Sequence, residues 1–390
     1  MITVDDHALH VMTAGEGQYT VVFESGFGAS LNSWRKVAPE ISKRAKVLAY
    51  SRAGAGKSAP GKTPHTLEQS VTELGELLQQ AGAKPPYILV GHSYGGFVIR
   101  GYAATHPNQI AGLVFVDPAD EKQVLALREL DPVRAANDEA LVKSFQPPQL
   151  LADYELLNTR IMATGKLPAF GPLPNVPVAL LTSVQAEYPE FFAHSPQGIA
   201  LHRLLHEQFF RQFSNGNHLV TANSGHNIHQ QEPGLVIGAI DQVISSATAQ
   251  AERLAWRRRQ DQLVQQLDMA NDLLSAGKTA AAEKQVLAAV KASQFDETAI
   301  NALGYEFLGK RQLPAIGSLL LKTNTLNYPL SANAFDSYGE SLLTLNQAAA
   351  AKQQFEQAVA LGLAQGMAAD SRALQGYRKN LAKAEAALAL

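Results

Sequence analysis

Short apolar runs alternate with helix-like stretches along the first 245 or so residues of the chain. Five of these runs have the length and composition of buried strands, namely residues 19–23, 46–50, 87–90, 113–116 and 178–181. The stretches between them, such as 67–81 and 96–105, have helical periodicity. Strands that are separated by helical crossovers predict a mostly parallel sheet with helices on both faces.

One interval interrupts this alternation. About 60 residues separate the strand that ends near residue 116 from the strand that begins near residue 178, which is far longer than an ordinary connection. Much of the interval is compatible with helix, and residues 167–177 are rich in proline and glycine. The predicted helical parts are 121–129, 137–144 and 148–163. An insertion at the carboxyl edge of a parallel sheet is most simply a cap over a pocket, so we predict a cap at about residues 118–176.

The strand-like runs stop near residue 247, and the following segment is helical with a period near 34 residues. Small and large apolar positions recur in three sets: Ala282, Val286 and Ala289; Ile316, Leu320 and Thr323; and Ala351, Phe355 and Ala358. This pattern resembles the tetratricopeptide repeat, in which small residues let paired helices approach closely. It predicts three repeats at 263–296, 297–331 and 332–365, with a capping helix at about 367–388.

Composition narrows the class of protein. The chain has 390 residues, 46% hydrophobic and 17% charged, with a net charge of -2. These values exclude a disordered chain and a strongly basic nucleic-acid binder. The length predicts about two domains. We expect a first domain of alternating strands and helices at 1–247, a linker helix at 248–262 and a repeat domain at 263–390.

The absence of cysteine excludes disulfides, thiolate metal sites and a thiol nucleophile. No apolar run reaches the roughly 18 residues of a membrane span. The N-terminal residues lack the pattern of a secretory signal, so we expect a cytoplasmic protein, or a periplasmic or secreted one if a signal peptide has been removed.

The strongest chemical signal is Gly91-His92-Ser93-Tyr94-Gly95-Gly96, which lies between an apolar strand and a predicted helix. A serine in a G-x-S-x-G turn of this kind stands at the top of the sheet, where the glycines relieve crowding. We therefore predict that Ser93 is a nucleophile. The alternative is a tight structural turn.

A serine hydroxyl needs a base, and His226 in a late loop is the best candidate. His229 is its competitor, and His92 is expected to be structural. His202 and His206 have the i,i+4 spacing of a metal-binding pair, but no nearby carboxylate pattern supports a metal, so they are interpreted as an ordinary helix face.

Two backbone amides are the expected oxyanion donors: that of Tyr94, directly after the nucleophile, and that of Phe27, in the glycine-containing loop 24–28.

Residues 54–58 look like the end of a phosphate-binding loop. The first glycine of that motif is replaced by Ser51, and Pro60 prevents the required helix, so nucleotide binding is not expected.

Taken in chain order, the segments ESGFG, YSRAGAGKS, GHSYGG, LVFVDPAD and SGHNIH of residues 1–245 resemble the α/β-hydrolase fold. The resemblance implies a helical cap and a Ser-acid-His triad. The resemblance does not identify which carboxylate is the acid of the triad. Ala186 stands where the family usually has its aspartate, Glu187 lies one residue later, and Asp117 follows the strand after the nucleophile. We favour Asp117, with Glu187 as the alternative.

These expectations predict a serine hydrolase that cleaves a small carboxylic ester through an acyl-enzyme, with Ser93, His226 and Asp117 as the triad and without a metal or organic cofactor. A lactone, amide or peptide substrate is the alternative for the same machinery. The alternative of another class is a non-catalytic scaffold. The repeats would then bind a protein partner or a second copy of the chain.

Overall fold

The computed structural model describes residues 1–389. The chain divides into two compact units, with the boundary between Ala251 and Glu252. The first unit contains every strand in the described part of the chain, and the second is helical.

Seven strands of the first unit form one sheet in the order β3-β5-β4-β6-β7-β8-β9, and β1 and β2 form a separate antiparallel pair. Only β3 and β5 are antiparallel within the large sheet. The mostly parallel sheet predicted from the sequence is confirmed. The strands are β1 (Ile2–Val4), β2 (His7–Leu9), β3 (Val11–Ala14), β4 (Thr20–Glu24), β5 (Lys46–Tyr50), β6 (Tyr87–His92), β7 (Ile110–Val116), β8 (Val178–Ser183) and β9 (Gly216–Thr221).

Both faces of this sheet are buried. Along β4 every residue is buried, with Val22 in the apolar cluster on one face and Val21 and Phe23 in the cluster on the other. This explains the near-continuous apolar runs of the central strands. β9 was not predicted because it lies at an edge of the sheet and its residues are mostly half-exposed, so it has no continuous apolar run.

Nine helices belong to or begin in the first unit: α1 (Ala38–Ile41), α2 (Leu67–Gln80), α3 (Gly95–Thr105), α4 (Gln123–Leu130), α5 (Pro132–Ser144), α6 (Leu151–Leu157), α7 (Pro196–Phe210), α8 (Ile228–Gln231) and α9 (Pro233–Ser275). The predicted cap region contains α4, α5 and α6. Helix α5 begins five residues earlier than predicted because Asp131 caps it, accepting a hydrogen bond from the backbone N–H of Arg134.

Helix α9 differs from the prediction. The expected final helix of the catalytic domain, the linker helix at 248–262 and the first repeat helix are one continuous helix of 43 residues. No glycine or proline occurs from Ala239 to Ala276, so nothing in the chain stops the helix earlier. It ends where Gly277 adopts a φ of 73°, the left-handed conformation that closes many helices.

Up to residue 389 the second unit continues with six α-helices: α10 (Thr279–Ser293), α11 (Glu297–Leu308), α12 (Pro314–Asn327), α13 (Ala332–Thr344), α14 (Ala348–Ala364) and α15 (Arg372–Leu388). The last begins at Arg372 rather than near 367 because the Ser371 side chain accepts from the backbone N–H of Leu374. Among the helices of residues 1–389, none is long and apolar enough to cross a membrane.

Candidate active site

Ser93 lies on the sharp turn between β6 and α3. Its φ of 52° is in the left-handed region, which is costly for a residue with a side chain. The turn depends on glycine at its neighbours. A Cβ atom at Gly91 would lie 2.7 Å from the carbonyl oxygen of Gly95, and one at Gly95 would lie 2.5 Å from that of Glu24. The sequence Gly-x-Ser-x-Gly therefore builds the strained turn that exposes Ser93 at the carboxyl edge of the sheet.

Asp117 follows β7, the next strand in the sheet, and also has a left-handed backbone, with φ 42°. Its buried carboxylate accepts three hydrogen bonds. Oδ2 accepts from His226 Nδ1 at 2.7 Å, and Oδ1 accepts from the backbone N–H of Ser183 at 2.8 Å and from His202 Nε2 at 3.0 Å. Burial alone would raise the pKa of Asp117, but the two histidines hold it well below its usual range. The group is therefore a carboxylate at neutral pH.

His226 lies in the loop between β9 and α8. Because Nδ1 donates to Asp117, Nε2 is left as an acceptor, which is the tautomer a general base needs. Burial lowers the pKa of His226, but the hydrogen bond and charge of Asp117 outweigh it and raise the pKa above its ordinary value. Ser93 and His226 line the same cavity. Within residues 1–389 no hydrogen bond joins their side chains, and such bonds commonly tighten when substrate binds.

Glu187, the alternative acid, has a different position. Its Oε2 accepts from the backbone N–H of His226 at 3.2 Å, and its Oε1 accepts from Gln231 Nε2 at 2.9 Å. It also lies against Gly225, where a Cβ atom would be only 2.1 Å from Oε2. Glu187 therefore supports the loop that carries His226, while Asp117 contacts the imidazole ring.

The two expected oxyanion donors, Phe27 and Tyr94, lie on opposite sides of Ser93 in the chain and line one cavity with it. Their rings contact edge to face, with centroids 5.7 Å apart. In the described part of the chain, neither backbone N–H donates to a protein acceptor. Both amides are therefore available to a ligand at Ser93.

A buried ion pair holds the loop that carries Phe27. The Arg52 guanidinium contacts the carboxylate of Glu24 and donates to the carbonyl oxygens of Ser25, at 2.6 Å, and Gly26. The Tyr50 hydroxyl donates to the other carboxylate oxygen. Glu24 and Arg52 were given no role from the sequence, although each is a charged residue within two positions of the end of a predicted apolar strand.

Two further histidines pack behind His226. His92 Nε2 donates to the carbonyl oxygen of His226 at 3.0 Å, and the His229 ring lies 4.4 Å from that of His92 and 4.6 Å from Trp34. Burial lowers the pKa of His229 to about 3 and that of His92 well below its usual value. Both histidines are therefore neutral at pH 7, and the interpretation of His92 as a structural residue stays a prediction.

The interpretation of His202 as an ordinary helix face is wrong. The fold brings the Asp117 carboxylate to it from 85 positions away in sequence, a proximity that no local pattern shows. His206, one turn later, donates from Nε2 to the carbonyl oxygen of Pro118, and its Nδ1 accepts from the Thr182 hydroxyl. Ligand atoms of Asp117, His202 and His206 lie within 4.8 Å of one another. Since both ring nitrogens of His206 are hydrogen bonded to protein, a metal would have to break one of these bonds.

The family model described as the alpha/beta hydrolase fold matches residues 19–230, which is more than half of the chain. Protein YqjL of Bacillus subtilis is 29% identical over 65% of this chain and 94% of its own length. Lipase LipV of Mycobacterium tuberculosis is 34% identical over 34% of this chain and 50% of its own length.

Solved structures of similar fold include an esterase from Thermogutta terrifontis, 19% identical with a TM-score of 0.46 over 63% of this chain and 97% of that one. An enol-lactonase from Burkholderia xenovorans LB400 is 16% identical, with a TM-score of 0.42 over 62% of this chain and 98% of that one.

Proposed function

Because the chain belongs to the α/β-hydrolase family, we propose that it is a serine hydrolase that cleaves carboxylic esters through an acyl-enzyme intermediate. One observation carries the proposal. The 2.7 Å hydrogen bond between Asp117 Oδ2 and His226 Nδ1 aims a basic imidazole nitrogen into the cavity that Ser93 lines from its strained turn.

In the first half-reaction the Ser93 hydroxyl transfers its proton to His226 Nε2 as Oγ bonds to the ester carbonyl carbon. The carbonyl electron pair moves onto its oxygen, where the backbone amides of Phe27 and Tyr94 stabilise the negative charge. When the electron pair returns, the bond to the alcohol oxygen breaks, and His226 gives its proton to the leaving alcohol. The products of this half-reaction are the alcohol and an acyl-Ser93 ester.

In the second half-reaction a water molecule replaces the alcohol. His226 takes one proton from the water, whose oxygen bonds to the acyl carbon, and then returns the proton to Ser93 Oγ as that bond breaks. The carboxylic acid leaves and the enzyme is regenerated. Asp117 stabilises the imidazolium in both halves because its own pKa keeps it ionised.

A fluorophosphonate probe tests this proposal against the scaffold alternative, because the probe phosphonylates only an activated serine. We expect labelling of the wild-type protein and of Ser214→Ala, whose exposed side chain is far from the chemistry, and no labelling of Ser93→Ala. A folded wild-type protein that resists the probe would overturn the proposal. A parallel panel of p-nitrophenyl esters, a lactone and an anilide then ranks the bond types.

For the second unit we propose three tetratricopeptide-like repeats, each a pair of helices. Support comes from the positions that recur in the sequence, all of which are buried. Ala282, Ile316 and Ala351 are 0% exposed, as are Val286, Leu320 and Phe355. The helix pairs α11–α12 and α13–α14 occupy the second and third proposed repeats.

Small residues let the paired helices approach. A Cβ atom at Gly304 would lie 2.7 Å from the Leu321 side chain, and one at Gly339, which is 35 positions later, would lie 2.5 Å from Phe355. The same small-to-large contact therefore recurs in both pairs, which is the packing that defines such repeats.

We further propose that this repeat unit associates with a protein partner or a second copy of the chain and takes no part in the chemistry. Light scattering of the full chain and of a chain ending at Ala251 tests the self-association. We expect the short chain to keep ester hydrolysis per folded molecule and to lose any oligomer. A folded but inactive short chain would contradict the separation of roles, and equal monomers would exclude self-association.

A further inference from the structure

Two cavities of different character meet at Ser93. The first, which we call the apolar cavity, has a volume of about 240 Å³, and the second, the polar cavity, has a volume of about 350 Å³. Besides Ser93 they share four lining residues, Ala119, Gln123, Val142 and Ala193. A substrate bonded to Ser93 can therefore extend one end into each cavity.

The apolar cavity is lined mainly by carbon, from side chains that include Phe97, Val124, Leu127, Leu157, Met162 and Phe191. Its two carboxylates are already engaged. Asp138 accepts from the backbone N–H groups of Phe192 and Ala193, each at 2.8 Å, and Glu139 is paired with Arg128. The cavity therefore offers a ligand dispersion contacts and burial of apolar surface rather than free charge.

The polar cavity has a different lining. Gln185, His194 and His202 contribute amide and imidazole groups, and Ile199 is one of its few aliphatic side chains. His202 Nε2 is already bonded to Asp117, whereas the Gln185 side-chain amide and His194 Nε2 make no hydrogen bond among residues 1–389 and can bond to hydroxyls of a ligand. An alkyl chain placed against these two groups would leave them without partners.

The chemistry assigns the two ends of the ester. His226 must protonate the leaving alcohol oxygen, so the alcohol lies on the side of His226, and His226 lines only the polar cavity. Phe27 and Tyr94, the expected oxyanion donors, line the apolar cavity. Resting on the proposed function, we infer that the apolar cavity takes the acyl chain and the polar cavity takes the alcohol. The substrate class is an ester of an apolar, medium-chain carboxylic acid with a small polar alcohol.

Two isomeric esters test this assignment because they have the same atoms and nearly the same overall polarity. In 3-hydroxypropyl octanoate the acyl part is apolar and the alcohol is polar, and in octyl 3-hydroxypropanoate the two are exchanged. We expect kcat/KM to be at least about tenfold higher for the octanoate. Within 3-hydroxypropyl esters, each added acyl methylene should raise kcat/KM about fourfold until the cavity is full.

The outcomes are distinct. Equal rates for the two isomers, or faster cleavage of the octyl ester, would overturn the assignment while leaving the esterase proposal intact. Labelling of Ser93 by the fluorophosphonate without cleavage of either isomer would overturn the substrate class. Absence of both labelling and cleavage would reject the proposed function, and the assignment with it.

A matched pair of variants tests which of the two cavities sets the preference for the acyl chain. Val124 lines only the apolar cavity and Ile199 lines only the polar one. Val124→Phe should abolish the preference for octanoate over butanoate, and Ile199→Phe should leave that preference intact while slowing esters of larger alcohols. The reverse pattern, with both variants folded as judged by their melting temperatures, would overturn the assignment.

Discussion

The two units bury different kinds of polar residue. In the first unit, charged side chains are buried at the ends of strands: Glu24 is 0% exposed, Asp117 is 3% and Arg52 is 9%. Among residues 252–389 of the second unit, the buried polar side chains are all uncharged, from serine, threonine and asparagine. That unit also has no histidine.

This difference indicates where the molecule carries out its chemistry. Burial of a charge costs several kcal/mol unless a partner compensates it. Buried charged groups therefore occur mainly where they are fully paired or where a functional site requires them. In the first unit the Asp117 carboxylate is bonded to His226, and the Glu24–Arg52 pair holds the loop of Phe27. The other buried carboxylates accept hydrogen bonds from backbone N–H groups; they are Asp120, Asp138 and Asp153. Within residues 252–389 the helical unit has no buried charged side chain of this kind.

The largest expected effect comes from removing the acid. Asp117→Asn should keep the fold and lower kcat by about 10⁴-fold, because His226 loses the acceptor that sets its tautomer and stabilises its cation. Glu187→Gln is the matched control and should cost far less, since the Glu187 carboxylate bonds to the backbone of His226 and the side chain of Gln231 and not to the His226 ring. Steady-state kinetics with a p-nitrophenyl ester provides the comparison. A crippled Glu187→Gln beside a nearly normal Asp117→Asn would reverse the assignment.

The next effect is on stability. Arg52→Met leaves the Glu24 carboxylate buried without its partner and should lower the free energy of unfolding by about 3–5 kcal/mol. Arg44→Met removes an exposed pair, in which Arg44 binds Asp241 through two contacts of 2.6 Å, and should cost about 1 kcal/mol or less. Urea denaturation of both variants measures the difference. Equal losses of unfolding free energy in the two variants would show that the buried pair stabilises the protein no more than the exposed pair does.

A smaller effect is expected in the helical unit. Gly339→Ala places a methyl group 2.5 Å from Phe355 and should destabilise α13 and α14 by about 1–3 kcal/mol, despite the better helix propensity of alanine. For Gly376 in α15, no described heavy atom lies within 4 Å of the added methyl, so Gly376→Ala should stabilise by about 0.5–1 kcal/mol. Hydrogen exchange of the helix amides measures both, and kcat/KM should not change. Loss of activity in Gly339→Ala would contradict the separation of the units.

The smallest effect is a shift in pH dependence. His226 acts as a base only when neutral, and its pKa is raised, so kcat/KM should fall as the pH drops below a midpoint that lies above 6.5. His202→Leu removes a donor from Asp117 and makes the carboxylate more basic, which should move this midpoint upward by about one unit or less. His202→Gln can still donate from Nε2 and should restore it.

The groups that face His226 from other elements are Asp117, Glu187, His92, His194 and His229, and these variants leave all of them in place. A pH profile that is identical for the wild type and His202→Leu would show that His202 does not shift the pKa of His226 through Asp117.

How far the sequence predicts this site depends on how local each signal is. The turn of Ser93 is encoded by adjacent glycines, and the loop of His226 by a short motif, so both stood out in the sequence. The contact between Asp117 and His226 spans 109 positions and depends on the order of β6, β7 and β8 in the sheet. The resemblance to a known family suggested that contact, and nothing in the residues alone required it.

Other features had no local signal. His202 contacts Asp117 only because α7 packs beside the end of β7. The hydrogen bonds from Arg52 to two carbonyl groups of the Phe27 loop are likewise tertiary contacts between residues far apart in the sequence. Helix α9 was divided in the prediction because the composition changes along it. Helices end at glycine, proline or caps rather than at changes of composition, and Gly277 is the first such signal after Gly238.

The most direct test of the central claim is to observe the acyl-enzyme itself. Rapid acid quench of the wild-type protein with p-nitrophenyl butanoate, followed by intact-mass and peptide analysis, should reveal one butanoyl group on Ser93 that forms in a burst and decays as substrate is exhausted. In His226→Ala the same adduct should form far more slowly. Ester turnover without any adduct on Ser93, or an adduct on another residue that survives in Ser93→Ala, would contradict the account.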